Sequence, residues 1–155
     1  WRKYGVGLVI IDYLQYTKGG KKYESRALEI AEISRGIKNV AKELDIPMLT
    51  LAQLNRKVEE RIDKRPIPAD LKESGDIEQD ADTITFLYRD EMYNPNTPHK
   101  GIAELLVKKH RNGATGRVEC AFIADFCAFE NLSFEDIRRT RKGTIVKNTG
   151  EVVYE

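Results

Sequence analysis

The run Gly7–Gln15, GLVIIDYLQ, constrains this chain more than any other stretch. Leu8, Val9, Ile10 and Ile11 succeed one another without polar alternation and lead straight into Asp12. An unbroken apolar run of this length predicts a strand buried on both faces of a parallel sheet. Asp12 then falls at the strand's carboxyl end, the edge at which open α/β sheets bind their ligands. A lone carboxylate there is placed to hold a hydrated Mg²⁺ beside nucleotide phosphates, the Walker B role. A buried strand that ends in an ordinary loop aspartate has the same pattern, so the weight rests on the residues beyond Gln15.

The chain as far as Arg56 continues the α/β pattern. Thr17–Ser25, with Gly19-Gly20 and Lys21-Lys22, reads as a polar surface loop. From Arg26 to Leu44, Ile30, Ile33, Ile37, Val40, Ala41 and Leu44 recur at helical steps behind a candidate N-cap, Ser25. This predicts an amphipathic helix on the sheet, stopped at Asp45-Ile46-Pro47. Met48–Ala52 is a second short strand, continued by Gln53-Leu54-Asn55-Arg56. Strand, helix and strand with short links form a right-handed crossover, which brings Asp12 and Gln53 to one sheet edge.

The remainder is more polar. Lys57–Pro68 mixes both charge signs with two prolines and reads as a solvated connector. Beyond it lie Asp70–Gly75, an acidic segment Asp76–Asp82, a strand Thr83–Tyr88 and a proline-containing loop Arg89–Lys100. Ile102–Lys108 and Arg117–Ile123 are two strands joined through Lys109–Gly116, which predicts an antiparallel pair at a sheet edge.

Composition sets outer limits. With 155 residues, 41% hydrophobic and 33% charged, the chain has enough apolar material for one modest domain. No apolar run approaches the roughly 18 residues of a membrane-spanning helix, and Trp1-Arg2-Lys3-Tyr4 opens no signal-peptide core, so the expected setting is cytoplasmic. A net charge of +1 excludes a globally basic nucleic-acid binder but allows a local basic surface. Cys120 and Cys127 lack the spacing of a zinc site and are expected to be reduced.

Six runs, in this order, carry a resemblance: IIDYLQ (Ile10–Gln15), EIAEISRGIKNVAKEL (Glu29–Leu44), AQLNR (Ala52–Arg56), KRPIPADLKESGDIEQDAD (Lys64–Asp82), FLYRDE (Phe86–Glu91) and KKHRNG (Lys108–Gly113). Together they resemble the RecA-like motor domain of bacterial and phage replicative DNA helicases, the DnaB type. The resemblance implies an α/β, RecA-like fold, mostly parallel with antiparallel edge strands, over residues 1–132, and an ATP-dependent helicase that unwinds duplex DNA at the replication fork. It casts Asp12 as the Walker B carboxylate that holds Mg²⁺ through water, and Gln53 as the sensor of the ATP γ-phosphate. An amide suits that task because it donates to a phosphate oxygen and accepts from water without adding charge. Arg111 is cast as an arginine finger, with Lys109 its companion, both reaching ATP bound by the next subunit of a hexameric ring. A planar, permanently charged guanidinium matches charge developing on a phosphoryl group. Lys72, Glu73 and Gly75 match a loop that follows the backbone of single-stranded DNA, with no base readout expected. The family more often has arginine at position 72, so forked contact is lost there. Primase and a helicase loader are further expected partners.

The glycine-rich phosphate loop GxxxxGK[ST] is absent from this sequence. The chain thus reads as beginning mid-fold, without the cradle that supplies most phosphate binding, and it is expected to be inactive alone. Residues 133–155 are an extension of unknown role, with a basic run Arg138–Lys142 and a candidate hairpin around Asn148-Thr149-Gly150. The alternative reading is a truncated, non-catalytic module that docks on a helicase ring or loader. A RecA-like ATPase of recombination or clock type is disfavoured by LKESGDIEQDAD and YRDE.

Overall fold

The computed structural model describes residues 2–71 and 75–132. The chain divides into two units, Trp1–Ile84 and Thr85–Glu155.

In the first unit, β1 (Val9–Ile11) and β2 (Met48–Thr50) pair in parallel, with Ile10 opposite Leu49. The link between them is α1 (Arg26–Leu44), as the periodicity requires. Ser25 caps α1, its hydroxyl accepting from the Leu28 amide at 3.3 Å. At the other end Asp45 turns left-handed (φ 52°, ψ 46°) while its amide donates to Ala41. Aspartate is one of the few residues other than glycine that tolerates this turn. Among the described residues, the largest fully buried side chains are Leu14 and Ile30. Leu14 belongs to the 3-10 turn Leu14–Tyr16, which packs on α1. Each is worth about 1.5–3 kcal/mol of burial. Val40, expected on the packed face, is exposed, and Ala31 is buried instead.

The strand expected to be buried on both faces is covered on only one. Ile10 is 59% exposed and its register partner Leu49 54%. Leu8 and Leu51 are exposed beside them. Helix α1 packs on β2, and the side of the pair that carries Ile10 and Leu49 is left exposed.

Lys57–Pro68 is not a plain solvated connector. With the residues flanking it, the stretch forms the 3-10 turns Arg56–Glu60 and Pro68–Asp70, and Val58, Pro66 and Asp70 are buried. Arg61 grips both carboxylate oxygens of Asp70, at 2.8 and 2.7 Å, and also donates to the Arg65 carbonyl at 2.8 Å. Asp70 accepts from the Ile67 amide as well. The loop's ends meet where Leu54 bridges Leu71 and the Asn55 amide donates to the Asp70 carbonyl at 2.6 Å. A charged stretch reads as solvated because sequence does not reveal that a fork-to-carboxylate pair closes it on itself. The acidic segment after it is helical, α2 (Gly75–Asp80), which packs on α1.

The second unit holds a four-stranded sheet in the order β3 (Thr83–Tyr88), β4 (Ile102–His110), β5 (Gly116–Ile123) and β6 (Ala128–Asn131). Strand β3 begins two residues before the division. β4 and β5 are antiparallel, Ile102 opposite Ala121 through Val107 opposite Gly116. β6, not expected from sequence, pairs antiparallel with β5 after a turn in which Cys127 takes a left-handed conformation (φ 49°). The alternation of β3 buries Ile84, Phe86 and Tyr88 and exposes Thr83, Thr85 and Leu87. Both cysteines are free, and burial pushes the Cys120 thiol above its ordinary pKa.

The YRDE run braces the segment leading into β4. Arg89 stacks over the Phe122 ring at 3.8 Å and donates to Glu91. The other Glu91 oxygen accepts from the Gly101 amide at 2.9 Å, closing the loop that begins at Asp90. Tyr88 donates to Asp90 and stacks on Tyr93.

Candidate functional site

Asp12 directly follows β1, and Gln53 lies three residues beyond β2, so both stand past the carboxyl ends of the paired strands. They line one shallow cleft together with Tyr13, Leu51 and Ala52. Both are exposed, as ligand-facing groups at this edge must be. The Asp12–Tyr13 peptide is cis. Tyr13 and Tyr16 stand 4.3 Å apart, ring centre to ring centre. The Tyr13 phenol is raised above its ordinary pKa, first by its hydrogen bond with Tyr16, then by burial and by the Tyr16 and Asp12 charges.

Beyond the paired strands the two chain segments stay joined. The Leu51 amide donates to the Ile11 carbonyl at 2.9 Å, and the Leu14 amide to the Leu51 carbonyl at 2.8 Å. Next, the Gln53 amide donates to the side-chain oxygen of Gln15 at 3.0 Å, and the Gln15 side-chain nitrogen approaches the Gln53 carbonyl at 3.5 Å. Arg26, the first residue of α1, donates to the Gln15 carbonyl at 2.6 Å, to the Thr17 carbonyl at 3.0 Å, and to Glu29. Glu29 accepts the Gly19 amide at 2.7 Å, which with Arg26 holds its carboxyl below the usual range. Gln15 and Arg26 received no role from the sequence, where neither carries a spacing signal that marks it.

Lys109 lies near the end of β4, and Arg111 comes next but one, in the turn to β5. The His110 ring lies over Gly113, where a Cβ would come within 2.5 Å of it. That small residue lets the turn close. Asp12 and Gln53 thus belong to the first unit, Lys109 and Arg111 to the second. Lys72 and Glu73 lie outside the described residues, as does the stretch 133–155 with its candidate hairpin. Gly75 is the first residue of α2.

Among the described residues no group of three or more His, Cys, Asp or Glu side chains is arranged to hold a metal. A single exposed carboxylate fits Mg²⁺ that keeps its waters and shares phosphate oxygens, and does not fit an all-protein cage. No helix among the described residues is long and apolar enough to cross a membrane.

Comparison with known proteins agrees with the six runs. A profile for the DnaB-like helicase C terminal domain matches residues 1–131. The chain is 53% identical over 135 residues to the replicative DNA helicase DnaB of Pasteurella multocida, covering 86% of this chain and 29% of that protein. It is 50% identical over 129 residues to that of Geobacillus stearothermophilus, covering 83% of this chain and 28% of that protein. Two solved structures, one of an ATPase domain and one of a DnaB-like replicative helicase described with its interactions with primase, each superpose with a TM-score of 0.79 at 48% identity over 81% of the chain. They are covered to 44% and 30% of their own lengths. The chain therefore spans less than a third of the curated relatives it matches.

Proposed function

Because the chain belongs to the DnaB-like helicase C terminal domain family, we propose that it supplies the nucleotide-responsive part of the ATP-driven motor of a replicative DNA helicase. The observation that carries this reading is the shared cleft of Asp12 and Gln53 at the carboxyl ends of adjacent parallel strands. Asp12 would hold Mg²⁺ through water, and the ion, when bound with ATP, would supply neutralisation of charge on the phosphates. Gln53 reads the γ-phosphate with its exposed amide and passes the change along the strand end towards Leu54, which bridges Leu71 at the threshold of Lys72, Glu73 and Gly75. Those three follow the backbone of single-stranded DNA. Lys109 and Arg111 act across a subunit boundary in a homohexameric ring, on ATP held by the neighbour. Primase and a loader are the partners of the complete assembly.

Without a GxxxxGK[ST] run in its sequence, this chain by itself hydrolyses no ATP at a measurable rate. The test therefore uses a chimera in which the chain replaces the matching stretch of the Pasteurella multocida helicase. Asp12→Asn keeps shape and removes charge at an exposed position, so the chimera should keep its fold by circular dichroism and lose nearly all Mg²⁺-dependent hydrolysis. Turnover close to that of the unsubstituted chimera overturns the assignment.

A further inference from the structure

The Leu51 carbonyl accepts from the Leu14 amide, one residue further along than the β1–β2 register calls for, and a ladder continued from there would pair the Gln53 amide with the Leu14 carbonyl and the Gln53 carbonyl with the Tyr16 amide. Here the Leu14 carbonyl is taken by the Thr17 amide at 3.0 Å and the Tyr16 amide by the Tyr13 carbonyl at 2.9 Å, as the chain bends into the 3-10 turn. Both rungs nearest Gln53 are thus lost to the backbone. The Gln15 side chain stands in for them, its oxygen where the missing carbonyl would be and its nitrogen where the missing amide would be. Gln15 is in turn fixed through its own carbonyl by Arg26 at 2.6 Å.

From this geometry we infer that Gln15 is a positioning residue for Gln53: its side-chain amide completes the β1–β2 ladder and sets where the Gln53 side chain sits against the nucleotide. The inference rests on the sensor role proposed for Gln53. The Gln15 side-chain amide is engaged with the Gln53 backbone, so in this reading it governs the aim of Gln53 and leaves ATP binding to other groups. Its loss should appear in the chemical step and spare ground-state affinity.

Two readouts separate the clasp from the sensor. The first is amide exchange of the isolated chain monitored by NMR. In Gln15→Met, close in shape but without either polar atom, the Gln53 amide should exchange about tenfold faster while the Leu51 and Val9 amides keep their rates. Gln15→Glu retains the acceptor and should restore the protection. Unchanged exchange in Gln15→Met, or exchange in Gln15→Glu as fast as in Gln15→Met, overturns the clasp.

The second is steady-state hydrolysis in the chimera. Gln15→Met should lower kcat about tenfold with KM for Mg²⁺-ATP within about twofold, alongside Gln53→Ala as reference. If Gln53→Ala abolishes turnover while Gln15→Met leaves kcat intact, the sensor stands and the positioning role falls. If Gln53→Ala turns over normally, the sensor reading itself falls and takes the positioning role with it.

Discussion

Arg111 sits just beyond the last residue of β4, and its value to a reaction depends on whose phosphate it meets. If it serves the neighbouring subunit, an Arg111→Ala chimera should be inactive alone. Mixed with a partner whose phosphate-loop lysine is removed, it should regain part of the activity, because some interfaces then pair an intact finger with an intact loop. Mixed rings confirmed by mass spectrometry that stay as inactive as their parents would count against action in trans. At this scale sequence was an uneven guide. Asp12, Gln53 and Arg111 stand out because each belongs to a recognisable run, and the roles proposed for them rest on those runs. Gln15 shares the run of Asp12 but draws no role from it, because its side chain bonds to the backbone of a residue 38 positions away, a relation that has no periodicity. Arg61 and Asp70 were hidden for the same reason, their pairing lying in a stretch whose mixed charge reads as solvation.

The loop closed by Arg61 and Asp70 connects the segment bearing Gln53 with the one that leads to Lys72. Its stability should depend on fork geometry as well as charge. Asp70 is buried at 5% exposure, so Arg61→Met strands a carboxylate and should cost on the order of 2–3 kcal/mol, read from urea unfolding. Arg61→Lys keeps one contact and should recover only part of it. Full stability in Arg61→Met would show that the clasp is decorative. The loop preceding β4 has a pH dependence of its own. Burial raises the Glu91 carboxyl, but the Gly101 amide and Arg89 together outweigh it and leave the folded pKa lowered. A lowered carboxylate stabilises fully above the unfolded value, about 4.3, and stops doing so as pH falls through the folded value. Gly101 amide exchange, corrected for its intrinsic pH dependence, should therefore lose protection only below the ordinary carboxylate range. Glu91→Gln should flatten that profile. The strands and α1 were readable because period and capping agree there. β6 was missed because its four residues, AFEN, come after a left-handed Cys127 that no glycine announces.

Taken as a whole, the chain has one sheet face that its own described elements leave bare, with Leu8, Ile10, Leu49 and Leu51 all exposed. The apolar run that reads as doubly buried is left exposed on one side, so the pattern states what the strand requires and the structure states how much of that is present. Self-association should result for the isolated chain, seen as a concentration-dependent rise in scattered light that Ile10→Lys suppresses. Scattering that is independent of concentration would mean the face is tolerated in water. A bare aliphatic surface also binds environment-sensitive dyes such as anilinonaphthalene sulfonate, which brighten on leaving water. Any segment or protein that seats itself on β1 and β2 must displace them. The face therefore carries its own optical reporter, and the extinction of that fluorescence during a titration would count, without labelling, how many copies of a natural neighbour it accepts.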